Sequence, residues 1–231
     1  MTSKVAKRLS TSQRQLGQLL VASSLVSLLF YAGRVTATNS YDYWFMSWNL
    51  FLAWVPLGFA AWLLHRLKTS AWKTPANIVL SLLWLGFLPN TFYIASDIIH
   101  LQPANHISIL YDVVMMLSFT FNGFLLGYLS LFRVHRQLRQ RLNPRQAYLI
   151  VAAVLLLCSF AIYLGRYLRW NSWDVLINPA GIIFDVSEPF ISPTAHPQAF
   201  TTTLMFFVLL GSIYAVIYRL IQIARANSAD L

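Results

Sequence analysis

The stretch 147–165 reads AYLIVAAVLLLCSFAIYLG and contains no charged side chain. A bilayer core about 30 Å thick needs roughly 20 mostly apolar residues to be crossed by one α-helix. Five further stretches with almost no charge follow the same pattern, at 16–33, 43–64, 76–96, 107–132 and 200–222. The sequence therefore predicts an all-α polytopic membrane protein with six transmembrane helices.

Composition agrees with this interpretation. Of the 231 residues, 58% are hydrophobic and only 10% are charged, whereas soluble domains carry about 25% charged residues. The six spans use up most of the chain, so we expect a single membrane domain over 16–222. It would be flanked by a basic tail at 1–15 and a short tail at 223–231, and its longest external loop would be 166–199.

The basic residues indicate the orientation of the bundle. All 17 Lys and Arg residues except Arg34, Arg166 and Arg169 map to one side of the predicted spans. Basic residues favour the cytoplasmic side, so we expect both termini to be cytoplasmic. Topology and anionic lipid thus explain the net charge of +10, and no nucleic-acid partner is expected. His65 and His135 map to the basic loops.

The first span also has features of a signal peptide. A basic start and an apolar run precede Val35-Thr36-Ala37, which resembles a cleavage site. The apolar run is long for a signal sequence and further spans follow it. We therefore expect an uncleaved first helix.

Three local patterns predict details of the helices. Pro56 and Pro89 should kink the second and third spans. Gly123 and Gly127 have GxxxG spacing, which lets a neighbouring helix approach closely. The external loop begins with a predicted interfacial helix and continues as an irregular, Pro-rich segment. The shared face of that helix would carry Arg166, Arg169, Trp170, Trp173 and Asp174.

Polar side chains form stripes on helices that are otherwise apolar. In the third span the spacing of Asn90, Tyr93, Asp97 and His100 is three, four and three. Asn49 lies on the second span, and Asp112 and Asn122 share a face of the fourth. Because polar groups facing lipid are costly, these stripes should face one another. We predict an outer polar pocket between the second, third and fourth spans, with Arg166 and Arg169 pairing with Asp97 or Asp112.

Three functions are compatible with such a pocket. Asp97, His100 and Asp112 could act as acid and base or hold a divalent metal, for which His and carboxylate are suitable ligands. The pocket could instead transport a solute or protons. Its polar residues could also have a purely structural role, or bind a partner, a lipid headgroup or another anion. In the binding case Arg166 and Arg169 suit phosphate or carboxylate, and the remaining candidate residues are Asn49, Asn90, Tyr93 and Asp174. The chain contains neither GxGxxG nor GxxxxGK[ST], so no nucleotide site of these kinds is expected. The sequence leaves cofactor, metal and oligomeric state open.

Several segments together resemble a known family. They are Asn49-Leu-Phe-Leu-Ala-Trp-Val-Pro56, Leu88-Pro-Asn-Thr-Phe-Tyr93, Asp97-Ile-Ile-His100, Tyr111-Asp112 and Arg169-Trp-Asn-Ser-Trp-Asp174. Over roughly residues 40–220 the chain resembles a bacterial family of uncharacterised integral membrane proteins, a domain-of-unknown-function family. The resemblance implies a bacterial inner-membrane location and brings no activity, substrate or cofactor.

Overall fold

The computed structural model describes residues 2–103, 107–171 and 174–227, with the backbone alone for 2–12, 175 and 176. These residues are predominantly helical. Two 3₁₀ helices cover Ile94–His100 and Pro193–Ala195. The α-helices are α1 (Thr2–Thr38), α2 (Trp44–Arg66), α3 (Pro75–Phe87), α4 (Pro89–Tyr93), α5 (Ile109–Arg139), α6 (Pro144–Tyr167), α7 (Asp174–Ile177), α8 (Pro179–Ile191) and α9 (Pro197–Asn227).

Six helices in the described part of the chain are long and apolar enough to cross a membrane. The prediction of an all-α, multi-pass membrane protein is confirmed. Some helices extend beyond their apolar stretches, since charged residues at a membrane surface do not end a helix. The six spans are Gln13–Thr38, Trp44–Arg66, Pro75–His100, Ile109–Arg139, Pro144–Tyr167 and Pro197–Asn227.

The two intramembrane prolines have different effects. Helix α2 continues through Pro56, whose carbonyl accepts a hydrogen bond from Ser130 across 3.2 Å. The third span, in contrast, is divided at Pro89 into α3 and α4 and then continues as the 3₁₀ helix Ile94–His100. A 3₁₀ helix has three residues per turn, so side chains three apart lie above one another. Asp97 and His100 therefore project from the same side of the third span.

The spans pack as one bundle in which α2 contacts α3 and α5, α1 packs on α5, and α6 packs on α9. The short helix α4 lies against α2, α5 and α6. Gly123 and Gly127 face α4, and a Cβ at either position would collide with Thr91. The GxxxG spacing in α5 therefore permits the close approach that the sequence predicted.

The segment after α6 differs from the prediction. Helix α6 ends at Tyr167, and Arg169 has a left-handed backbone conformation with φ of 60°. The predicted interfacial helix beginning at Arg166 is therefore wrong, because one residue in that conformation interrupts the common face; Trp173 lies outside the described residues. The Pro-rich remainder is helical rather than irregular, since Pro179 occupies the first turn of α8, where its missing N–H costs nothing.

Candidate functional site

A cavity of about 660 Å³ lies at the end of the bundle where the acidic residues collect. Its walls come from α2, the third span, α6, the segment following α6, and α8. The prediction that the fourth span would form a wall is wrong, because the inner face of α5 packs against α1, α2 and α4. The fifth span takes that place through α6.

An ion pair between Asp97 and Arg166 crosses one side of this cavity. Nη2 of Arg166 donates to Oδ1 of Asp97 across 2.6 Å, and Nδ2 of Asn49 donates to Oδ2 across 2.8 Å. The Asp97 side chain is 2% exposed and that of Arg166 is 10% exposed. A carboxylate so deep in an apolar bundle requires a charged partner. The pair thus joins the second, third and fifth spans through one carboxylate.

The remaining contacts of Arg166 hold its guanidinium in place. Nε and Nη2 both donate to Oγ of Ser96, at 3.1 and 2.6 Å. Nη1 lies 2.7 Å from Nε2 of His100, and the guanidinium carbon lies 4.4 Å from the centre of the Tyr93 ring. Because a guanidinium can only donate, Nε2 of His100 accepts, which places the proton of the neutral ring on Nδ1. These contacts use four of the five N–H groups of Arg166.

Most of the predicted site residues meet in this cavity. Asp97, His100 and Arg166 form the network, and Asn49 donates to it. Asn90 lines the wall and donates to the carbonyl of Phe87 across 3.0 Å. The lining includes Asn49, Asn90, Tyr93, Asp97, His100, Arg166 and Arg169.

Asp174 does not line the cavity. Its Oδ2 accepts from the backbone N–H of Asn171 across 2.6 Å and from the Asn171 side chain across 3.3 Å. The spacing of Asp174 from Arg166 indicated a shared helical face, but the chain leaves α6 before reaching it. In the structure Asp174 is the first residue of α7 and binds Asn171.

Asp112 also lies away from the cavity. Its Oδ1 accepts from Nε of Arg34 across 2.9 Å, and the two side chains are 1% and 2% exposed. The guanidinium of Arg34 lies 4.3 Å from the Tyr43 ring centre. The predicted pairing of Asp112 with Arg166 or Arg169 is therefore wrong, because the first span supplies a nearer cation. Arg34 near the end of an apolar helix was the signal for this pair in the sequence.

Asp97, His100 and Asp112, which the sequence offered as one possible metal site, do not come together, because Asp112 is bound to Arg34 and Asp97 to Arg166. Within 2–103, 107–171 and 174–227, no group of three or more His, Cys, Asp or Glu could hold a metal ion. Asn122, which shares a face of the fourth span with Asp112, donates to Oγ of Ser27 across 2.9 Å. It therefore belongs to the contact between α5 and α1.

The sequence interpretation missed two polar contacts at the cavity. Ser96 is buried and accepts twice from Arg166, but a serine in an apolar stretch is too common to stand out. Nε1 of Trp170 donates to Oδ2 of Asp185 across 2.6 Å and joins the segment after α6 to α8. This contact was not predictable, since the irregular loop predicted there fixes no spacing between the two residues.

A family model described as "Protein of unknown function (DUF1361)" matches residues 48–213. The chain belongs to this family. The match covers both partners of the Asp97–Arg166 pair in this DUF1361 protein, whereas Arg34 lies before it. No curated protein and no solved structure shows significant similarity to the chain.

Proposed function

We propose that this multi-pass membrane protein binds an anionic amphiphile in the cavity, with a phosphate or carboxylate group at Arg169 and Arg166. The observation that carries the proposal is the charge of the lining. Arg166 and Arg169 line the cavity together with one carboxylate, that of Asp97. Since Asp97 neutralises Arg166, the positive charge of Arg169 is left in excess among the described side chains that line the cavity. Arginine presents planar, paired donors that suit phosphate and carboxylate.

The rest of the lining supports an amphiphile rather than a small soluble anion. Apolar side chains from α2, α6 and α8 cover much of the wall, among them Trp48, Leu52, Leu157 and Val186. Ligand sites of this kind combine a mostly apolar surface with a few polar groups that fix the orientation. A membrane lipid has a charged headgroup and apolar chains, and therefore matches both parts of the wall.

The two arginines have different roles in this proposal. Four N–H groups of Arg166 already bind Ser96, Asp97 and His100, so its position is fixed before a ligand arrives. Arg169 is exposed and follows directly after α6. Arg169 would therefore supply most of the attraction for the anion, and the Asp97–Arg166 network would hold the wall in shape.

The test is a lipid titration of delipidated protein in neutral detergent, followed by native mass spectrometry. We expect phosphatidylglycerol to bind more tightly than phosphatidylethanolamine. The Arg169→Gln variant should lose about tenfold in affinity for phosphatidylglycerol, which corresponds to about 1.4 kcal/mol. Arg169→Lys should keep part of that affinity. Arg136→Gln, an exposed arginine at the opposite end of the bundle, is the matched control.

Competition by glycerol phosphate distinguishes a lipid from a free anion. If glycerol phosphate displaces phosphatidylglycerol at similar concentrations, the headgroup alone is the ligand and the apolar wall contributes nothing. Equal binding of both lipids, or equal loss in Arg169→Gln and Arg136→Gln, would contradict the proposed anion site.

We also propose that the cavity opens on the outer side of a bacterial inner membrane. Among the three basic residues at this end, Arg34 and Arg166 are held in buried ion pairs. Net positive charge therefore collects at the opposite end, which the positive-inside rule assigns to the cytoplasm. In a Cys158→Ala background, a membrane-impermeant thiol reagent should label Asp42→Cys in intact cells. It should label Thr69→Cys only after the membrane is permeabilised, and the reverse pattern would contradict the orientation.

A further inference from the structure

Helix α8 has an unusual distribution of side chains for a segment between two membrane spans. Four of its large apolar side chains are exposed, with exposed fractions from 63% to 75%, and they belong to Ile183, Phe184, Phe190 and Ile191. Their spacing of one, six and one residues places them along one side of the helix. Exposing such a surface to water is unfavourable, because burying one large apolar side chain contributes about 1.5–3 kcal/mol of favourable free energy.

The opposite side of α8 faces the protein. Ile182 and Val186 line the cavity, and Pro189 is buried. Asp185, on the same side, accepts the hydrogen bond from Trp170. The hydrogen bond of Asp185 is therefore directed inward and the four large apolar side chains face outward, which is the reverse of the arrangement on a water-exposed helix. Ser187 lies among these four, and its hydroxyl donates to the carbonyl of Phe184.

The apolar side of α8 is continuous with the apolar surfaces of two membrane spans. The ring of Phe190 lies 5.9 Å from that of Phe160 in α6 and 6.1 Å from that of Phe200 in α9. Phe200 is itself exposed. With 13 residues, α8 is only about 20 Å long and cannot cross a bilayer.

We propose that α8 lies in the membrane interface, with Ile183, Phe184, Phe190 and Ile191 inserted among the acyl chains. The bilayer itself thus covers the apolar surface of α8, because this surface is continuous with surfaces that span the bilayer. Glu188 fixes the depth. Its side chain is 44% exposed and lies 3.9 Å from Nε2 of His196, and a carboxylate of this kind belongs at headgroup level.

The placement of α8 in the interface does not depend on the proposed ligand. The segment after α6 becomes part of the membrane domain rather than a loop in water. The wall formed by Ile182 and Val186 then separates the cavity from the bilayer.

The test is spin-label accessibility in lipid vesicles. Single cysteines replace Ile183, Phe184, Phe190 and Ile191 in turn in the Cys158→Ala background, and each carries a nitroxide. We expect collisions with oxygen to exceed collisions with a water-soluble nickel complex at all four positions. Thr194→Cys and Thr69→Cys, both exposed, should show the opposite preference.

Preference for the nickel complex at the four positions would overturn the proposal. So would dipolar broadening between labels on different molecules, since a second copy would then cover this surface. Four independent positions keep the test decisive if one variant fails to fold. Unchanged gel-filtration profiles identify the variants that are folded. Because no ligand is added, the outcome is separate from that of the lipid titration.

Discussion

Nη2 of Arg166 lies 2.6 Å from Oδ1 of Asp97, and this contact fastens α6 to the third span. A second pair, Arg34 with Asp112, fastens α1 to α5. Tyr43 connects the two ion pairs. Its ring lies under the Arg34 guanidinium, and its hydroxyl donates to the carbonyl of His100 across 3.1 Å. The same end of the bundle is thus held by two buried ion pairs connected through one tyrosine.

The Asp97–Arg166 pair can be tested by removing either partner. Arg166→Gln leaves a buried carboxylate without its cation, and we expect a loss of about 3–5 kcal/mol in unfolding free energy. Asp97→Asn should have a similar effect. The double variant should be more stable than the sum of the two losses predicts, since neither buried charge then remains.

Unfolding can be followed through the single cysteine. Cys158 is fully buried in α6, so a fluorogenic thiol dye reports exposure of the bundle interior on heating. Arg136→Gln is the control and should unfold like the wild type, because surface charges contribute little. Additive losses in the double variant would show that the two side chains do not stabilise one another.

Variants of the Arg34–Asp112 pair test stability and ligand binding separately. Nη1 of Arg34 and Oδ2 of Asp112 are buried without a hydrogen-bond partner in the part of the chain that the structure describes, so this pair is incompletely satisfied. Replacing both with apolar residues, Arg34→Met and Asp112→Leu, should destabilise less than either single change. Affinity for phosphatidylglycerol should stay near that of the wild type, because neither residue lines the cavity. A tenfold fall in affinity at unchanged stability would assign this pair to the binding site.

The six spans were predictable because apolar length alone determines them. The group of Asn90, Tyr93, Asp97 and His100 was predictable, because steps of three and four residues place side chains on one side of an α-helix. The last step, of three residues, does so in a 3₁₀ helix as well. The partners were not predictable in the same way. Arg34 and Arg166 carry the same charge at the same end, and only packing decides which one meets Asp112. The end of α6 was also missed, because the left-handed conformation of Arg169 has no signal in its residue type.

The close contact between α5 and α4 predicts a sharp difference between two glycines. A Cβ on Gly123 would meet the carbonyl oxygen of Thr91, which is backbone and cannot rotate away. We expect Gly123→Ala to lower the unfolding free energy by about 1–3 kcal/mol. Gly58→Ala in α2 is the matched control, because a Cβ there has nothing within 4 Å. Dye-detected melting should show a lower midpoint for the first variant alone, and equal midpoints would mean that the helices separate without cost.

A buried histidine at the other end of the bundle offers a last test. His135 was assigned to a basic loop from the sequence, but α5 continues past it and the residue is fully buried. Its Nδ1 lies 2.6 Å from Oη of Tyr214, while its Nε2 is buried without a partner among the described residues. Tyr214→Phe would leave the second ring nitrogen unsatisfied as well, and we expect a loss of about 1–3 kcal/mol.

Tyr218→Phe is the matched control for this histidine. Tyr218 stacks on the His135 ring at 5.0 Å, and its hydroxyl accepts from Arg139 across 3.4 Å near the surface. Phenylalanine keeps the stacked ring and removes only the contacts that the hydroxyl makes near the surface, with Arg139, Tyr148 and Gln222, so the melting midpoint should stay close to that of the wild type. The difference between the two variants measures the hydrogen bond of His135, because both lose one hydroxyl from the same helix. If both variants melt together, the packing of the aromatic rings stabilises His135 and its bond to Tyr214 does not.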